Sequence, residues 1–203
     1  MRNGVRLKTV LALAMAFLLV GCIAPTKPSR FYVLSAVEPP TERTPNGISV
    51  SVGPVAVPKY LDRPEIVTRP TANALDLAQY DRWGGRLEDN VLQVLAEDLS
   101  RRLKTSRVST FPAEAATGAD VRVSVTVTSF ECVGGDNCVL DARWRLSDAN
   151  GNRPPVVRTF HTEVKAAGAS YGDKVAAMSR TLNDLAVTVA DAIEKRGVVR
   201  AGR

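Results

Sequence analysis

Three runs of alternating apolar and polar residues lie between positions 121 and 164, and they restrict the fold more than any other feature of this chain. Val121, Val123, Val125 and Val127 alternate with Arg122, Ser124 and Thr126. Leu140, Ala142, Trp144 and Leu146 alternate with Asp141, Arg143 and Arg145, while Phe160 and Val164 fall on one side of the third run. Successive side chains of a strand point to opposite faces, so each run has one face to bury and one to leave wet. A sheet of this kind needs a second layer to cover its apolar face.

Two stretches of longer period supply that layer. Leu87, Val91, Leu95, Leu99 and Leu103 recur every four residues, with Leu92 and Val94 widening the stripe. This is the pattern of an amphipathic helix. Its acidic start (Glu88, Asp89) and basic end (Arg101, Arg102, Lys104) also suit the helix dipole. A second helix is predicted over 172–196, where Val175, Met178, Leu182, Leu185, Val189 and Ile193 are spaced by three and four. The expected fold is therefore α+β, a mixed or antiparallel sheet covered on one face by two amphipathic helices, forming a single domain over 31–196. The tail, 197–203, is expected to fray.

Ahead of the first helix the pattern is looser. A short strand is predicted at 31–35, and a polar, proline-rich turn region at 37–47 cannot be a core element. Ile48, Val50 and Val52 alternate with Ser49 and Ser51, Gly53-Pro54 interrupts, and Val55 and Val57 continue: a strand with a break. Residues 60–69 read either as a surface turn entering a strand, with Asp62 capping it and Arg63 and Arg69 solvated, or as a proline-stiffened docking loop. Tyr60, Asp62, Arg63 and Arg69 are its docking candidates. Trp83 is expected in the core, with an interface anchor as the alternative.

Cys132 and Cys138 flank VGGDN between two of the strand patterns. If they face each other, Val125 falls opposite Arg145 and the buried faces disagree. The apolar parity, however, changes from odd at Val127 to even at Phe130, as one extra residue near Thr128 and Ser129 would cause. A β-bulge is predicted there, bringing Val125 opposite Trp144. The two cysteines suit a disulfide in an exported hairpin, with a reactive dithiol as the rival. A metal site would need ligands that the single, distant histidine does not supply.

No phosphate-binding glycine loop, metalloprotease helix or nucleophile elbow occurs in the sequence. His161 lies on the polar parity of its strand with Glu163, which points to a solvent-facing side chain. No enzyme is expected, and no catalytic residue, metal or cofactor is assigned.

Residues 1–21 carry the pattern of a secretory signal: Arg2, Arg6 and Lys8, then the uncharged run 10–20. As a helix that run reaches about 17 Å, against the ~30 Å of a bilayer core, so it is not itself an anchor. Leu19-Val20-Gly21-Cys22 looks like a bacterial lipobox, which implies cleavage after Gly21 and lipidation of Cys22. The covalent lipid is the only prosthetic group expected. In Gram-negative lipoproteins an Asp after the lipidated Cys commonly retains the protein in the inner membrane; here Ile23 implies the outer membrane, periplasmic face. Residues 22–30 form a tether reaching at most about 30 Å. Without the three leading cations the formal charge falls from +6 to +3, too small to indicate a nucleic-acid partner.

Phe31-Tyr32-Val33-Leu34, Val52-Gly53-Pro54-Val55, Tyr60-Leu61-Asp62-Arg63-Pro64-Glu65-Ile66-Val67 and Arg82-Trp83 followed by Leu87 together resemble the paraquat-inducible C-type (PqiC-like) auxiliary lipoproteins. Where that family commonly has a small-acidic-proline sequence after the Trp, this chain has Gly84-Gly85-Arg86. The resemblance implies a noncatalytic outer-membrane component of an intermembrane lipid-transport system. It would work with a periplasm-spanning MCE-domain protein and inner-membrane transport components, and a homo-oligomer is open. The alternatives are an assembly or secretion lipoprotein, such as a pilotin or outer-membrane biogenesis factor, and a periplasmic thiol redox protein.

Overall fold

The computed structural model describes residues 27–44, 47–112, 118–148, 151 and 153–196. The signal segment, Cys22, most of the tether and the 197–203 tail lie outside the described residues. Eight strands form one sheet: β1 (Arg30–Tyr32), β2 (Val50–Ala56), β3 (Glu65–Thr71), β4 (Ala74–Trp83), β5 (Val108–Thr110), β6 (Val121–Val133), β7 (Asn137–Asp148) and β8 (Val156–Lys165). Among the described residues two helices, α1 (Leu87–Arg102) and α2 (Tyr171–Lys195), pack on it and on each other. The fold is α+β with a mixed sheet.

The long strand β6 organises the sheet. Its alternate valines are all buried, as are Leu140, Ala142, Trp144 and Leu146 of β7. Val125 pairs with Trp144 and Phe130 with Leu140, the register shifting between Val127 and Ser129. This is the bulge read from the parity change. On its other edge β6 carries two parallel partners in succession: β2, with Ala56 opposite Thr126, and then β3, with Thr68 opposite Cys132. The break in β2 falls at Gly53, whose φ of +113° is strained for any residue with a Cβ.

α1 covers β2 and β5, and α2 covers β6, β7 and β8. The apolar stripes read from the sequence are the ones buried: Leu87, Val91, Leu95 and Leu99 on α1, and Val175, Met178, Leu182, Leu185, Val189 and Ile193 on α2. Ser170 caps α2 by accepting a hydrogen bond from the Asp173 N–H, whereas Arg86 at the start of α1 offers no side-chain cap.

Two features differ from the sequence reading. The first strand ends at Tyr32 rather than at residue 35, because the chain then leaves the sheet edge and buries Leu34. The β3–β4 hairpin and the short β5 were not separately anticipated: β3 and β4 alternate poorly, and β5 has only three residues. The proline-rich stretch after the first strand, read from the sequence as a polar turn region, is tied to the helices where it is described. Ser35 donates its N–H to Ser179 Oγ at 3.2 Å, and the N–H groups of Val37 and Glu38 both donate to Asp98 Oδ1, at 3.1 and 3.3 Å. Arg101 Nη1 donates to the Glu38 carbonyl at 2.6 Å. The arm is thereby strapped across the helices.

Candidate docking surface

Because β2 and β3 follow one another along one edge of β6, the chain between them must leave the sheet beside the β6 bulge. Leu61 is buried and pins that excursion to the core, while the N–H groups of Leu61 and Asp62 donate to the Pro58 carbonyl. The sequence candidates then divide into two pairs.

Tyr60 and Arg69 turn inward onto Glu131. Arg69 Nε donates to Glu131 Oε1 at 2.7 Å, and the Tyr60 hydroxyl donates to Oε2 at 3.0 Å. The Phe130 N–H donates to Oε2 at 2.7 Å, and the Arg69 guanidinium lies 5.5 Å from the Tyr60 ring centroid. Glu131 itself is fully buried. Burial first, and the neighbouring Glu131 second, raise the Tyr60 phenol above its ordinary pKa; the hydrogen bond to Glu131 raises that of Arg69. The reading of Arg69 as a solvated surface residue is therefore corrected: it neutralises a buried carboxylate. Glu131 was not singled out from the sequence. Its one signal was a charged residue between Phe130 and Cys132, in a strand that is buried on both faces only because Tyr60 covers the second.

Asp62 and Arg63 remain exposed. With Phe31, Pro64, Trp83 and Arg86 they line a surface recess of about 370 Å³. Trp83 forms part of the wall from a buried position, and Phe31 is 67% exposed. Two backbone hydrogen bonds of 2.8 Å hold the rim, from Trp83 N–H to the Pro64 carbonyl and from Gly84 N–H to the Tyr32 carbonyl. Gly84 is needed for the second approach, since a Cβ there would sit 3.0 Å from Val33 Cγ1. Behind the rim, Asp81 accepts from Arg30 at 3.0 Å and from the Tyr32 hydroxyl at 2.8 Å. Burial pushes its pKa up, but these bonds outweigh it and hold the carboxyl below its usual range. The rim charges are paired on the surface, Arg86 with Glu88 at 3.1 Å and more openly with Asp62 at 3.9 Å, and Arg63 with Glu65 at 3.5 Å. Such open pairs contribute about 0 to 1 kcal/mol, so they can be exchanged for a partner's charges at little loss.

Cys132 and Cys138 face each other across the β6–β7 hairpin and are disulfide-bonded, both of them buried. His161 faces solvent on β8, 2.6 Å from Asp141 and 3.5 Å from Glu163; the bond to Asp141 raises its pKa. Among the described residues no cluster of three or more His, Cys, Asp or Glu could hold a metal, and no helix is long and apolar enough to cross a membrane.

Residues 32–190 match the family model described as the ABC-type transport auxiliary lipoprotein component. Two of the matching solved structures share the fold over more than four-fifths of this chain. One is an uncharacterized protein, 23% identical, covering 82% of this chain and 99% of its own with a TM-score of 0.69. The other is protein XCC0632 of Xanthomonas campestris, assigned to DUF330, 16% identical over 83% of this chain and 97% of its own, with a TM-score of 0.65. No curated protein matches the sequence.

Proposed function

The chain belongs to the family of ABC-type transport auxiliary lipoprotein components, and from that membership we propose that it is the outer-membrane lipoprotein of an MCE-type intermembrane lipid-transport system. In this reading Cys22 carries the lipid, the tether holds the domain close to the periplasmic face, and the protein docks a periplasm-spanning partner without catalysing a reaction. The observation that carries it is the family match over most of the chain. The recess bounded by Phe31, Asp62, Arg63 and Trp83 suits the docking role: it joins an exposed aromatic to exchangeable charges on a backbone stiffened by Pro58 and Pro64, so little entropy is lost on binding. Burial of both Cys132 and Cys138 in the core disfavours thiol exchange as the protein's task.

Crosslinked pulldown of the membrane-derived protein tests the reading. An MCE-domain protein is the expected product, and recovery of a secretin or porin complex instead would establish the assembly-factor alternative. Mass spectrometry of the same preparation reports on Cys22; a free amino terminus upstream of it, or an unmodified Cys22, would reject the anchor.

A further inference from the structure

A groove of about 490 Å³ opens between the C-terminal turns of α2 and strands β7 and β8, at the sheet edge opposite the recess. The strand order β1-β4-β3-β6-β7-β8 separates the two edges by about 24 Å, at ~4.8 Å per strand. Nothing about this groove depends on the docking reading.

Four observations bear on what this groove can hold. Its volume lies within the range of small-molecule pockets, about 300 to 1,000 Å³. Val156, Ala192 and Trp144 give it an apolar wall continuous with the core. Trp144 is buried, yet its indole N–H meets no hydrogen-bond acceptor among the described residues, an arrangement that native interiors rarely leave unanswered. Finally, Arg158 and Lys195 line the groove without an ion-pair or hydrogen-bond partner among the described residues, whereas Arg196 is engaged by Asp148 and the Pro154 carbonyl, and Asp191, the one carboxylate of the lining, is paired with Arg102 at 3.7 Å. Arg158 shares its strand parity with Val156 and Phe160, so the fold sets a cation where the alternation calls for an apolar residue.

We propose that this groove binds a small anionic amphiphile, its head held by Arg158 and Lys195 and its apolar body laid along Trp144, Val156 and Ala192. A neutral apolar ligand would leave the two cations unanswered. A compact anion would leave the wall wet.

The test uses the full chain in vesicles of zwitterionic phosphatidylcholine, with dodecanoate carrying a photoreactive diazirine as the probe and the adducts mapped by peptide mass spectrometry. Labelling should concentrate in 156–159 and 188–195, saturate, and disappear under excess plain dodecanoate. Arg158→Gln combined with Lys195→Gln should lower it at least fivefold, and Ala192→Trp, which fills the groove, should do the same. Arg158 and Lys195 are exposed, so the double variant tests the head position in a folded protein even where Ala192→Trp lowers the melting temperature. The proposal is overturned by adducts scattered over the surface, by equal labelling from the matching uncharged alcohol probe, by competition from inorganic phosphate alone, or by undiminished labelling of the double variant. Arg63→Glu should leave labelling unchanged while weakening recovery of the docking partner, which keeps the two readings separable.

Discussion

Glu131 and Asp98 are both sealed from water, but their surroundings treat the charge in opposite ways. Glu131 meets a guanidinium, a phenol and a backbone N–H, with a donor on each oxygen. Asp98 meets two backbone N–H groups, both on Oδ1, and Oδ2 has no donor among the described residues. Burial lifts its pKa to about 6, with the two backbone bonds pulling partly the other way. The difference lies in what covers each group. Glu131 is closed over by side chains that bring a compensating charge in direct contact, whereas Asp98 is closed over by the arm, whose backbone brings dipoles and whose Glu38 adds a like charge, with Arg101 only partly offsetting the burial.

Breaking the Glu131 cluster should have the largest effect. Arg69→Ala leaves a buried carboxylate without its cation and should cost about 3 to 5 kcal/mol, read as a lowered denaturant midpoint. Arg69→Glu should be worse. A loss under 1 kcal/mol would mean that the cluster contributes no more than a surface pair.

Asp98 should make the stability depend on pH. Its folded pKa lies above the ordinary value near 3.9, so between pH ~4 and ~6 the folded state binds the extra proton and stability falls as pH rises through that window. The drop from this group alone is about 3 kcal/mol, on the scale of 1.36 kcal/mol per pKa unit. Asp98→Asn keeps an oxygen for the two N–H groups; it should flatten the slope and raise the neutral-pH melting temperature. An unchanged slope in that variant would assign the pH dependence to other carboxylates.

Reduction of Cys132–Cys138 should cost about 2 kcal/mol, the loop-closure contribution of a short ring, and should weaken the hairpin that carries Glu131 without altering α1. Hydrogen exchange localised to β6 and β7 would check it. Arg63→Glu should have the smallest effect on stability, under about 0.5 kcal/mol, because the side chain is exposed and held only by a 3.5 Å pair. Its effect should appear in partner copurification alone.

Much of the frame was legible because period and parity are local properties. The alternation in 121–127 and 140–146 identifies the buried face of β6 and β7, and the switch of parity before Phe130 locates the bulge without any tertiary information. The four-residue spacing from Leu87 to Leu99 does the same for α1. Asp62 and Arg63, singled out in the sequence, do face the recess, but Phe31 and Arg86, which complete it, lie about thirty and twenty positions away along the chain.

Strand and helix periods, the bulge, and the breaks at glycine and proline were determined by the sequence alone, because each follows from backbone geometry over fewer than about ten residues. What lies over the second face of the sheet was decided by the tertiary structure. Parity says that Glu131 points away from Phe130, yet only the parallel placement of β2 and β3 along one edge of β6 brings Tyr60 and Arg69 across it. Likewise, periodicity says nothing of the arm that seals Asp98, which reaches it from about sixty residues earlier in the chain. A period reports which way a side chain points; the partner that it meets there depends on how distant segments are brought together.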